Sequence, residues 1–145
     1  MDDKLLKTIT RLVIPFIEVY GIFIILNGHL SPGGGFSGGA LLGTSLILYT
    51  LVFGVKKSEK KFSPRVSVIL ESGGVLLIIG VGIFGMIMTG FFLSNKAAGF
   101  NIGEFGSLFS GGFIPLLMIA IGLKVASTFI TLFHSVIEED YHESV

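Results

Sequence analysis

The chain has 145 residues, with ten Lys and Arg against ten Asp and Glu, so its formal net charge is zero; 51% of it is hydrophobic, 14% is charged and its mean hydropathy is +0.87. A neutral chain offers no electrostatic support for nucleic-acid binding, and one with no cysteine forms neither disulfides nor thiolate ligands to an iron–sulfur cluster. The few charges are clustered, leaving runs of about 20 residues free of them, long enough to cross a bilayer. The expected class is therefore an all-α integral membrane protein with one membrane domain over residues 1–145.

The first span is predicted over residues 5–27, behind Asp2, Asp3, Lys4 and Lys7 and interrupted by Arg11 and Glu18. It is too long for the apolar region of a cleavable signal and carries no small-residue cleavage site, so none is expected. Next comes Gly28-His29-Leu30-Ser31-Pro32-Gly33-Gly34-Gly35-Phe36-Ser37-Gly38-Gly39, with six glycines and no charge; no Lys, Arg, Asp or Glu occurs from Val19 to Val55. An unwound, uncharged backbone flanked by apolar spans is tolerated in a membrane only where protein buries it or water lines it, so the segment reads as a packed or re-entrant breaker. The second span is predicted over 36–55. Gly35, Gly39 and Gly43 recur at four-residue spacing, which lets helix backbones approach closely.

Lys56-Lys57-Ser58-Glu59-Lys60-Lys61 opens a basic loop, 56–65, ending in Ser63-Pro64-Arg65. The third span, 66–93, is long enough to tilt or kink and has glycines at 73, 74, 80, 82, 85 and 90. A polar connector, 94–106, holds Lys96 and Glu104, and the fourth span is predicted over 111–133. The tail 138–145 is acidic and too short to fold alone. Four spans put both termini on the side of the basic loop, and the excess of Lys and Arg there places that side in the cytoplasm; acidic residues weigh little in this rule.

Charges inside hydrocarbon cost about 2.5–3.5 kcal/mol each on insertion scales and mark function by default. Glu18 lies about 20 Å along the first span and Lys124 about 15 Å from the cytoplasmic end of the fourth, at 1.5 Å per residue. They are candidates for an ion pair with each other, for two stations on a proton or cation path, for a structural pair that fixes packing, or for separate pairs with other subunits. Glu71 lies within the third span, either lining a cation entrance or reaching back to the basic loop. His29 beside the breaker is a candidate proton relay or an anchor for loose backbone. Arg11 is near enough to the surface to snorkel. The three histidines share no ligand spacing, so no metal site is expected. No cofactor is expected, and neither a phosphate-binding loop nor a serine nucleophile motif occurs.

The breaker resembles the signature of the B-type chain of Mrp-type (Mnh) multisubunit cation/proton antiporters, Gly-His-x-x-Pro-Gly-Gly-Gly-Phe-x-Gly-Gly, at every fixed position: Gly28, His29, Pro32, Gly33, Gly34, Gly35, Phe36, Gly38 and Gly39. Similar subunits occur in archaeal membrane-bound hydrogenases and sulfur-reducing complexes. The resemblance implies four spans, a non-catalytic subunit that works only among other subunits, Na+ and H+ as the transported ions, and a part in the sodium pathway. It directs attention to Pro32, expected to stop the first helix, and Phe36, expected to plug or shape the turn. Two rivals follow from the residues themselves: a small four-helix exporter of lipophilic cations, and a purely structural membrane subunit.

Overall fold

The computed structural model describes residues 3–30, 32–95 and 111–143, the last six as backbone only. These residues form five helices and no strand: α1 (Asp3–Leu26), α2 (Gly34–Phe53), α3 (Val55–Lys61), α4 (Pro64–Thr89) and α5 (Ile114–Glu143). Four of them, α1, α2, α4 and the Ile114–Ile137 part of α5, are long and apolar enough to cross a membrane. The chain is an all-α multi-pass membrane protein.

Three boundaries differ from the sequence-based expectation. The basic segment 56–65 is not a plain loop: Gly54, at φ +88°, ends α2 and the chain re-enters helix at once as α3. The third membrane helix stops at Thr89, four residues early, because Gly90 takes the left-handed conformation (φ +77°) and its N–H caps the Met86 carbonyl at 2.8 Å. The acidic tail continues α5 to Glu143; His134 to Glu143 contains no glycine or proline, so nothing interrupts the helix. Lys96 and Glu104 of the polar connector lie outside the described residues.

α2 is the centre of the bundle. It packs against α1 on one side and α5 on the other, and α4 packs against α5. Glycines make this possible. A methyl group on Gly35 would stand 2.5 Å from the Met118 carbonyl oxygen, one on Gly39 2.5 Å from that of Gly122, and one on Gly43 2.6 Å from the Phe129 Cβ, all on α5. On the opposite side, a methyl on Gly38 would stand 2.6 Å from the Gly21 carbonyl oxygen of α1. In lipid, where tails are as apolar as leucine, helix association rests on this kind of backbone approach.

The α1–α2 turn is closed by short-range bonds: Asn27 N–H to Phe23 O (3.0 Å), Gly28 N–H to Ile25 O (3.2 Å) and Leu30 N–H to Asn27 O (2.9 Å). α1 therefore ends at Leu26, before Pro32 is reached; the stop lies at Asn27–Gly28. Gly34, at φ +64°, presses against Gly28, whose Cβ would meet the Gly34 Cα at 2.6 Å. The Gly35 N–H donates to the Met118 thioether sulfur at 3.2 Å. Phe36 does not plug the turn: it is 62% exposed, because glycine-to-glycine contact and Met118 already fill the interior.

Gly39→Ala forces a methyl onto a backbone oxygen that cannot move aside, whereas Gly80 has nothing within 4 Å of its missing Cβ. Gly39→Ala is expected to destabilise the bundle by about 1–3 kcal/mol, and Gly80→Ala to leave it unchanged or stabilise it by about 0.5–1 kcal/mol. Thermal unfolding in detergent, followed by circular dichroism, checks the contrast.

Candidate functional site

Ile14, Gly21 and Ile25 are buried on the face of α1 that meets α2, and Glu18 stands in the same row. The missing side chain of Gly21 lets Leu42 of α2 come close. This brings Ser45, fully buried, within 3.5 Å of Glu18 Oε1. The Ser45 hydroxyl has one hydrogen, and its short bond is to the Leu42 carbonyl at 2.7 Å. That single hydrogen can go to Leu42 or to Glu18 Oε1, to which the hydroxyl donates at the longer distance of 3.5 Å.

The partner of Glu18 is not Lys124. It is Lys61, whose Nζ lies 3.8 Å from Glu18 Oε1 and 4.9 Å from the centroid of the Tyr49 ring. Lys61 belongs to the basic segment that reads as a solvated loop. It reaches Glu18 because α3 folds back along the end of α2: the hydroxyls of Thr50 and Ser58, both buried, are bonded at 2.7 Å, and the Phe62 N–H reaches the Ser58 carbonyl at 2.7 Å. One more cation closes this corner, Arg11, whose guanidinium sits 5.3 Å from the Phe53 ring centroid.

Beside Glu18 is a cavity of about 230 Å³, lined by Glu18 and Ile22 of α1, Leu42, Ser45 and Leu46 of α2, Phe62, Leu70 of α4, and Leu123 and Ala126 of α5. Its wall is apolar except at Glu18 and Ser45. A second cavity of about 170 Å³, sharing Ile22, Leu42 and Leu123, continues it towards Ile25, Leu26 and Ile119.

Glu71 and Lys124 lie on the α4–α5 seam, on the other flank. Buried Ser127 donates to the Ser67 carbonyl at 2.9 Å, and a methyl on Gly74 would meet the Ala120 carbonyl at 3.0 Å and the Lys124 Cβ at 3.1 Å. Glu71 lies between Ser67 and Gly74 on that face of α4, and Lys124 between Ala120 and Ser127 on antiparallel α5. The register therefore sets them opposite each other. Glu71 Oε1 is buried with no hydrogen-bond partner, and among the described residues neither side chain makes an ion pair, so Glu71 does not reach back to the basic segment. Because their chain neighbours Leu70 and Leu123 line the Glu18 cavity, Glu71 and Lys124 stand at about the height of the Glu18–Lys61 pair, so the four charges form one transverse layer of the bundle, with Glu18 alone facing the cavity. His29 is not in it. It packs beside Gly111 at the approach to α5, with its Cδ2 3.1 Å from where a Gly111 Cβ would be, and stands about 16 Å along the helix direction from Glu18. No cluster of three His, Asp or Glu that could hold a metal occurs among the described residues.

Residues 5–131 match the family model described as a domain related to the MnhB subunit of Na+/H+ antiporters. The chain belongs to this MnhB-related family. The matched stretch includes the glycine turn and every charge of the layer. Within it, the chain is 29% identical over 101 residues to the B-type chain of the Na(+)/H(+) antiporter of Bacillus subtilis, covering 70% of each. It is 40% identical over 108 residues to an uncharacterised protein of Methanocaldococcus jannaschii, covering 72% of this chain but 41% of that protein. A chain of the membrane-bound sulfane sulfur reductase, an archaeal respiratory membrane complex, superposes with a TM-score of 0.67 at 32% identity, over 87% of this chain and 54% of that one. The MnhB-related chain thus spans about half the length, or less, of two of the proteins it resembles.

Sequence reasoning missed Ser45, Tyr49 and Lys61. The signal for Lys61 lay in the bracketing of seven helix-forming residues by Gly54 and Ser63-Pro64, which makes a short separate helix rather than a loop. Thr50→Val leaves the buried Ser58 hydroxyl unpartnered, at about 1–3 kcal/mol. It is expected to loosen α3 and speed trypsin cleavage after Lys56, Lys57 and Lys60 several-fold in detergent, while Thr44→Val, at an exposed site, does not.

Proposed function

We propose that this MnhB-related chain is a non-catalytic subunit of a multisubunit Na+/H+ antiport module in the cytoplasmic membrane, and that it forms one wall of the sodium pathway with both termini in the cytoplasm. The observation that carries the reading is the transverse layer: two carboxylates and two amines, each costly in hydrocarbon, at one height of the bundle, with Glu18 facing a cavity between α1, α2, α4 and α5. The apolar outer faces of α1 and α4, with Phe16, Phe23, Ile69, Leu76 and Ile87 exposed, are surfaces for those subunits and for lipid. The orientation follows from Lys4, Lys7, Lys56, Lys57, Lys60 and Arg65 lying at the end opposite the uncharged glycine turn. The relatives named as antiporter subunits, and the respiratory complex that contains a similar chain, support membership of such an assembly.

The test is made in the whole complex, in everted membrane vesicles. Glu71→Gln and Lys124→Met are each expected to lower Na+-dependent proton exchange at least tenfold while the complex still assembles. Full exchange in both assembled variants would make the chain a structural subunit. Efflux of a lipophilic cation such as ethidium by the chain alone would make it an exporter instead.

A further inference from the structure

We infer that Lys61 is a tethered stand-in for the transported cation: it neutralises Glu18 when the site holds no ion and is displaced when a monovalent metal cation enters. The inference rests on the sodium-pathway reading and adds the site, the competitor and the direction of the effect. Glu18 Oε1 and Ser45 Oγ are 3.5 Å apart. That is close enough for both to touch one hard cation, since oxygen ligands sit about 2.3–2.6 Å from an ion the size of Ca2+. The Ser45 hydroxyl donates to the Leu42 carbonyl at 2.7 Å and, at 3.5 Å, to Glu18; with its hydrogen turned to Leu42, its oxygen is left to a cation beside the carboxylate. A part-buried carboxylate with only one long hydrogen bond favours a cation beside it. Lys61 supplies it, loosely, at 3.8 Å.

Three features equip Lys61 to leave. Its side chain is 48% exposed and that of Glu18 32%, so the pair is not sealed. The Tyr49 ring, 4.9 Å away, offers the ammonium a second resting place over an aromatic face. α3 is a seven-residue helix between a positive-φ glycine, Gly54, and Ser63-Pro64, so its end can shift without unwinding α2 or α4. The adjoining cavity of about 230 Å³ has the volume for an ion, with Glu18 and Ser45 as the polar groups of its otherwise apolar wall. Phe62, next in sequence to Lys61, lines that cavity, so a movement of Lys61 also moves part of its wall.

At 3.8 Å the ammonium stands beyond hydrogen-bonding distance of the carboxylate, so the pair is loose and an entering cation can compete with it. Removing the competitor raises the apparent affinity for the ion, and strengthening it lowers that affinity. The experiment measures the Na+ concentration for half-maximal exchange in vesicles carrying the complete complex with wild-type chain, Lys61→Met or Lys61→Arg. The expected order is Met below Lys below Arg, with steps of about two- to fivefold, the range of such pairs; arginine holds a carboxylate through two parallel bonds and leaves it less readily. Equal values, or the reverse order, overturn the inference. If the methionine variant does not assemble, the arginine variant against wild type decides alone. Glu18→Gln separates the two levels of the argument. Its loss of exchange together with unchanged half-saturation in the Lys61 variants sinks the stand-in and keeps the pathway. Full exchange by an assembled Glu18→Gln complex overturns the stand-in and the routing of sodium past Glu18 alike.

Discussion

The bundle depends on the absence of side chains along two faces of α2. Gly35, Gly39 and Gly43 face α5, and Gly38 faces α1, each with a neighbouring carbonyl or Cβ standing where a methyl would be. Glycine inside a helix costs about 0.5–1 kcal/mol relative to alanine. That cost is offset only where the backbones actually meet. With no solvent-driven collapse between helices in lipid, contact of this closeness is the main source of specific association.

The geometry of the charged layer follows from that contact. Held on both sides, α2 presents Ser45 to Glu18 and Thr50 to Ser58, and the second of these bonds turns α3 back so that Lys61 reaches the carboxylate. The same contact sets the height of α5, and the Ser127 to Ser67 bond then fixes α4 against it with Glu71 opposite Lys124. The glycine turn and the polar residues are therefore one system: the turn has no ionisable side chain except His29, which lies outside the layer, yet it determines where the charges stand. Within the layer Glu18 and Lys61 pair, and a nearby charge of the other sign offsets part of the insertion penalty of each.

Much of this was legible in the amino-acid order. Charge-free runs marked the membrane helices, and the four-residue glycine spacing marked the close face of α2. The family was legible in the turn, because its pattern of glycines, His29, Pro32 and Phe36 is unlikely to arise in an apolar chain by composition alone. The roles assigned within the turn were less secure. Pro32 follows a helix that has already ended, and Phe36 points outward, because a motif records which residues recur and not which way they face. The pairing of charges was not legible either. Glu18 and Lys124 lie at similar depths, but depth does not say which helices are neighbours. Lys61 was hidden by its setting among Lys56, Lys57 and Lys60, a run that reads as solvated until the Thr50–Ser58 bond is known.

The most direct measurement of the central contact uses the fact that the chain has no cysteine of its own. Gly43 and Phe129 face each other with the missing Cβ of the one 2.6 Å from the Cβ of the other, and Phe129→Cys removes the ring that would obstruct a bridge. Disulfides span Cβ separations of about 3.5–4.5 Å, so α2 and α5 must part by about 1 Å at this point, and the bridge holds them there. In membranes carrying the assembled complex, the Gly43→Cys, Phe129→Cys chain should oxidise nearly completely to an internal disulfide and resist a maleimide mass tag, while Gly80→Cys with Phe129→Cys should stay reduced and take up two tags. Two tags on the first pair under oxidising conditions would show that α2 and α5 do not meet at their glycine face, and the charged layer built on that contact would fall with it.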